Sequence, residues 1–121
     1  MFHTFSFYHI LLIQLSSIWV HYIDQILDSI SKIELFVNGI DKENFLTNSL
    51  VQSGVIMQLT LIGEISKKIS DDLKIKINLP WKEIAGFRDK AIHNYFDINL
   101  EVVWNTIIID LPPLKEELIK Q

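Results

Sequence analysis

The 121-residue sequence predicts an all-α fold, an antiparallel bundle of four to five helices in a single domain. Three observations carry that expectation. Apolar residues recur every three or four positions along almost the whole chain. Hydrophobic residues make up 49% of it, enough for one sizeable core and too many for a disordered chain. Stop and start signals at Asn38-Gly39, Pro80 and Pro112-Pro113 punctuate the pattern, with no repeat, low-complexity tract or linker.

In the first helix, Ile18, Tyr22, Ile26, Ile30, Ile33 and Val37 step by threes and fours, with Asp24, Asp28, Ser31 and Lys32 largely on the other side. Asn38-Gly39 supplies a left-handed stop. Asp41 can then cap a short turn through Phe45 and Leu46. A second long helix is expected with Leu50, Gly54, Met57, Leu61, Ile65 and Ile69 along its stripe, ending among Ser70, Asp71 and Asp72. Gly54 and Gly63 lower helix propensity inside it, which points to close approach by another backbone. Residues 74–77 alternate polar and apolar, but so short a strand would have no partner, and an irregular connection is expected. Asn78, Leu79 and Pro80 open a third helix whose buried stripe is Ile84, Phe87 and Ala91. Asp97 and Asn99 end it and cap a fourth through Leu100, Val103, Trp104, Ile107 and Ile108. Pro112-Pro113 breaks or kinks that helix, and residues 114–119 form a last short one with a charged outer face. Trp19, Trp81 and Trp104 are read as core anchors rather than base-stacking platforms.

Residues 1–20 contain no Lys, Arg, Asp or Glu. A secretory signal would show a basic start and a small-residue cleavage site, and neither is evident. A membrane span needs about 20 strongly apolar residues, whereas His3, Thr4, Ser6, His9, Gln14, Ser16 and Ser17 interrupt the run. Residues 1–17 are therefore read as an atypical apolar helical extension, buried or packed on a partner, ahead of a bundle domain at 18–121. A membrane or targeting role and a mis-assigned start are the alternatives. His3 and His9 are read as incidental rather than as metal ligands.

With no cysteine, disulfides and thiolate metal sites are excluded, and a reducing cytoplasm is the expected compartment. The net charge of −4 argues against a large basic nucleic-acid surface. Charge is uneven, however: residues 64–90 carry seven bases and five acids, the rest four bases and ten acids. Contact with nucleic acid is expected to be confined to that region and to be salt-sensitive. No phosphate-cradling glycine loop, zinc-spaced Cys/His set or Gly-x-Ser-x-Gly motif is present.

The segment Arg88-Asp89-Lys90-Ala91-Ile92-His93-Asn94-Tyr95 holds the chain's one arginine, the other ten basic residues being lysine. Guanidinium grips phosphate through two parallel hydrogen bonds, which lysine cannot do, and imidazole exchanges protons near neutral pH. Together they suit metal-free phosphodiester cleavage. On an ideal helix Arg88 and Tyr95 lie nearly in line, Asp89 and His93 are i,i+4 neighbours, and Arg88 and His93 diverge by about 140°. One helix cannot easily close both on one phosphate, whereas two copies facing each other across a symmetric dimer could combine them, and dimerisation is part of the expected mechanism. The same residues also admit a plain structural role, with Asp89–His93 as a surface pair and Tyr95 as a core ring. Glu64 is read as an exposed carboxylate or as the buried partner of a base, with exposure preferred.

The pattern Arg-x-x-x-x-His-x-Tyr, as Arg88, His93 and Tyr95, resembles the signature of the HepT-like proteins of the HEPN superfamily. Ile62-Gly63-Glu64 is similar to that family's mid-helix motif, residues 80–89 to its approach to the arginine, and Asp110-Leu111-Pro112-Pro113-Leu114 to its C-terminal break. The resemblance spans roughly residues 19–118; residues 1–17 have no counterpart, and Met57-Gln58-Leu59 stands where a basic residue is expected. It implies a dimeric helical bundle that acts as a metal-independent endoribonuclease toxin, with no cofactor. It also implies an MntA-like nucleotidyltransferase antitoxin that silences the toxin by adding AMP to the motif tyrosine. By that resemblance Arg88 and His93 are catalytic, Asp89 orients the site, and Tyr95 is the AMP acceptor. The implied substrate is RNA, tRNA by analogy, with no role for DNA or a membrane. The rival expectation is a non-catalytic subunit that presents substrate to a neighbouring nucleotidyltransferase, docking through Tyr95.

Overall fold

A computed structural model describes the backbone of residues 2–121 and the side chains from residue 17 onward. The chain runs α1 (Phe2–Val37), α2 (Lys42–Leu46), α3 (Ser49–Lys68), α4 (Asp71–Ile75), α5 (Trp81–His93), α6 (Leu100–Asn105) and α7 (Leu111–Ile119). No strand forms among the described residues, and the all-α bundle is as expected. The packing expected for residues 1–17 lies outside the described side chains, Ser17 excepted. Among the described residues no helix is long and apolar enough to cross a membrane.

α3 is the central element, packed by α1 on one side and α5 on another. From α1 the core takes Ile23, Ile26, Ile30 and Ile33, and from the C-terminal helices Val103, Ile107, Leu111, Leu114 and Leu118. Phe45 of α2 is fully buried and its ring meets Trp104 at 5.3 Å between centroids. All three tryptophans lie partly buried against this core, in the anchoring role expected of them. The stripe expected on α3 holds at Ile65 and Ile69 but is displaced earlier in the helix. Leu50, Met57 and Leu61 are exposed, and the buried face is Val55, Ile56, Leu59, Ile62, Gly63, Ile65 and Ser66. A helix with neighbours on two sides buries a wide arc, and periodicity alone admits more than one stripe through its apolar residues.

The helix ends follow their capping chemistry closely. Gly39 has φ +74°, the left-handed stop after α1. Asp41 Oδ1 accepts from the Asn44 N–H at 2.9 Å and starts α2, and Asn48 Oδ1 accepts from the Val51 N–H at 3.1 Å and starts α3. Residues 74–77, expected as an irregular connection, include the end of α4. The Ser70 carbonyl accepts from the N–H groups of Leu73 and Lys74, and Asp71 and Asp72 complement the first turn. Past the C-terminal proline pair the chain stays helical. Thr106–Asp110 widens into a π turn that leads directly into α7. Pro112 and Pro113 lack the N–H groups that would bond to the carbonyls of Ile108 and Ile109, so the regular ladder cannot continue there.

The two interior glycines differ. A Cβ on Gly54 would meet the Phe36 ring at 3.1 Å, a side-chain neighbour rather than the backbone expected. A Cβ on Gly63 would lie 2.8 Å from the Ile84 carbonyl oxygen and 2.5 Å from the Arg88 Cβ. Here the neighbouring backbone does come close, and neither atom is the free end of a flexible chain. Gly63→Ala should therefore force α3 and α5 apart. A penalty of about 1–3 kcal/mol for overpacking exceeds the roughly 1 kcal/mol gained in helix propensity, so urea unfolding should show a net loss. Gly86→Ala is the control: nothing lies within 4 Å of its added methyl, and stability should rise by about 0.5–1 kcal/mol.

Candidate active site

The site grows from the contact at Gly63. α5 turns Ile84 and Ala91 towards the core, and with no side chain on Gly63 the stem of Arg88 lies directly against α3. The Arg88 side chain is left 23% exposed, so its guanidinium reaches the surface from a packed stem. There the Nε–H donates to Glu64 Oε2 at 2.7 Å, and Nη1 donates to Asp89 Oδ1 at 3.1 Å. Lys67 Nζ donates to that same Asp89 oxygen. Glu64 and Lys67 stand one turn apart on α3, Arg88 and Asp89 side by side on α5, so two cations and two carboxylates join the helices.

The electrostatics follow from these bonds. Lys67 first, then Arg88, hold the Asp89 carboxyl below the usual carboxylate range by donating to its charged form. Glu64 first, then Asp89, raise the Arg88 pKa further above its already high ordinary value. The guanidinium is thus permanently charged and fixed in orientation before any ligand arrives.

Several expected relations are corrected by the position of the helix end. α5 stops at His93, and the Asn94 N–H donates to the Lys90 carbonyl at 2.8 Å. Tyr95 begins a separate 3-10 turn, Tyr95–Asp97, so it does not continue the helical line of Arg88. Tyr95 is also no core ring: it is 44% exposed and meets Phe96, 98% exposed, edge-on at 5.8 Å. Asp89 and His93 share no bond, because Lys67 and Arg88 take the carboxylate instead. His93 is exposed at the last position of α5, and within one chain it makes no hydrogen bond with Arg88.

Glu64 combines the two sequence readings: its side chain is 43% exposed and it is also the partner of the arginine. Lys67 is expected only as one of the seven bases of residues 64–90, with no place of its own in the site. A signal for both existed: a glycine inside a long helix marks where a second helix touches, and the polar residues just after it then face that helix.

A groove of about 680 Å³ lies elsewhere, lined by Leu59, Phe87, Val102, Leu111 and Leu114 with Glu83 and Lys90 on its α5 side. Arg88, Asp89, His93 and Tyr95 do not line it. Among the described residues no group of three or more His, Cys, Asp or Glu side chains could hold a metal ion.

Because its folded pKa is lowered, the Asp89 carboxylate contributes stability above the pKa of the unfolded chain. That contribution disappears as pH falls through the folded value. A carbon-13 NMR titration should find Asp89 protonating below the ordinary carboxylate value of 3.8, and Lys67→Met should move its midpoint upwards.

The description "Ribonuclease HepT-like" belongs to a family whose profile matches residues 26–120. A Thermococcus cleftensis protein named "Probable ribonuclease HepT" is 42% identical over 95 residues, which cover 78% of this chain and 86% of that protein. In Methanocaldococcus jannaschii, a protein provisionally named an RNase is 38% identical over 93 residues, covering 76% of this chain and 85% of its own length. A second protein there, named a gamma-glutamylcyclotransferase and provisionally an RNase, is 37% identical over 100 residues, 82% of this chain but only 45% of that longer protein. No solved structure matches. The profile covers nearly all of the bundle, Arg88, His93 and Tyr95 included, and the chain belongs to the HepT-like ribonuclease family.

Proposed function

We propose that the protein is a metal-independent endoribonuclease that works as a homodimer and serves as the toxin of a toxin–antitoxin pair in the cytoplasm. The observation that carries this reading is the Arg88 guanidinium, held at the surface by Glu64 and Asp89 on the helix that ends in His93. A guanidinium fixed before substrate arrives can meet the charge that grows on a phosphate during attack without reorganising first. His93 takes the proton of the attacking 2′-hydroxyl or returns one to the departing 5′-oxygen. The 2′-oxygen–phosphorus bond forms as the phosphorus–5′-oxygen bond breaks, leaving a 2′,3′-cyclic phosphate. Asp89 supports the geometry of the arginine until RNA arrives.

Helix geometry supports the reading that two copies act together. Arg88 and His93 are five residues apart, which places them about 140° around the axis and roughly 7.5 Å along it. A two-fold contact sets one copy's arginine near the other's histidine. Ile92 and Phe96, 51% and 98% exposed, offer apolar surface beside these groups for such a contact.

Tyr95 is the proposed site of control, since its phenol stands outside the helix and is open to a second protein. An MntA-like nucleotidyltransferase would direct the Tyr95 oxygen onto the α-phosphorus of ATP. Pyrophosphate leaves, the phenolic proton passes to solvent, and the attached AMP brings negative charge that repels RNA.

His93→Ala should lower RNA cleavage about 10²–10⁴-fold and Arg88→Ala about 10²–10³-fold, with the dimer intact by light scattering and growth inhibition lost. Unchanged cleavage and toxicity in His93→Ala would instead favour a non-catalytic subunit that presents substrate to the transferase. Intact-mass measurement after incubation with the transferase and ATP should show steps of AMP in the wild type and none in Tyr95→Phe.

A further inference from the structure

We infer that the Asp89 carboxylate occupies, in the free protein, the place of an RNA phosphate, and that Lys67 and Arg88 together form the bracket that receives it. The substrate class rests on the ribonuclease reading above; the bracket itself rests on geometry. One oxygen, Asp89 Oδ1, accepts both from Lys67 Nζ and from Arg88 Nη1. Two cations converging on one anionic oxygen can receive a non-bridging phosphate oxygen by the same charge-assisted hydrogen bonds.

The three side chains differ in how firmly they are held. Arg88 is 23% exposed, its stem lies against Gly63, and its Nε is kept by Glu64 on a separate edge of the guanidinium. Asp89 is 51% exposed and Lys67 37%. Asp89 can therefore turn out to solvent while Glu64 still aims Arg88 and its Nη1 at the vacated position. Charge also balances. With Asp89 turned away, the two cations and Glu64 leave one net positive charge, and a phosphodiester carries one negative charge. RNA thus replaces the carboxylate one for one, and Asp89 competes with it until it does. Lys67 lies outside the Arg-x-x-x-x-His-x-Tyr motif, on a different helix, and becomes a substrate-binding residue by this placement.

The test uses the full chain and a 2′-O-methyl oligoribonucleotide, which lacks the attacking hydroxyl and stays uncut. Lys67→Gln should weaken binding roughly 5- to 10-fold and flatten the log–log salt dependence by about 0.7, the share of one phosphate contact on a single strand. Lys67→Arg should restore both, and Asp89→Asn, which keeps the shape and removes the competing charge, should tighten binding several-fold. Unchanged affinity and salt slope in Lys67→Gln overturn the inference, as does weaker binding in Asp89→Asn or the absence of binding by wild type and Asp89→Asn alike. Cleavage by His93→Ala separates the two proposals. If that variant still cuts RNA while the Lys67 and Asp89 variants shift binding as stated, the ribonuclease mechanism fails and the bracket stands. If it is inactive while Lys67→Gln binds like wild type, the mechanism stands and the bracket falls.

Discussion

The close approach of α3 and α5 at Gly63 governs both the stability of the bundle and the disposition of its chemistry. Any side chain at that position would occupy the space of the Arg88 stem and the Ile84 carbonyl. Because glycine leaves it open, the arginine lies along α3 and meets Glu64 at 2.7 Å, and Asp89 beside it meets Lys67. Four charged groups from two helices become one connected surface. Glycine's low helix propensity, a cost of about 1 kcal/mol in isolation, is offset here by the packing it permits.

Where helices end matters as much as where they touch. The Asn94 cap terminates α5 immediately after His93. The histidine is therefore fixed in the last turn, while the next two aromatic residues leave the helix and enter solvent. One additional helical turn would have carried Tyr95 back over Arg88. The two groups instead have separate surroundings, Arg88 packed against α3 and Tyr95 in solvent. At the other end of the chain, Pro112-Pro113 produces a π turn rather than a break, and Leu111, Leu114 and Leu118 stay in register with the core.

The charge distribution accounts for how an acidic chain of net charge −4 can engage a polyanion. The site carries no excess charge while Asp89 and Glu64 accompany Arg88 and Lys67. Such a surface has little long-range attraction for nucleic acid, and the exchange of one anion for another that we propose acts at short range. A neutralised resting site also limits indiscriminate binding of phosphates, an asset for an enzyme that attacks RNA.

Much of this is legible in the sequence. The 3.6-residue period identifies the helices, since burial of one face is a local property of sequence, and Gly39, Asp41 and Asn99 mark ends because caps are satisfied by residues a few positions away. Arg88, His93 and Tyr95 stand out from residue type and spacing alone, and all three lie inside the span of the family profile. The buried stripe of α3, the partnership of Glu64 with Arg88, and the capture of Asp89 by Lys67 rather than His93 were settled only by tertiary structure. Each of these depends on the rotation of α3 against α5, and that rotation is chosen by packing between segments some two dozen residues apart. Local periodicity determines that a helix has a buried face; only its neighbours decide which face that is, and so which charges meet across the seam.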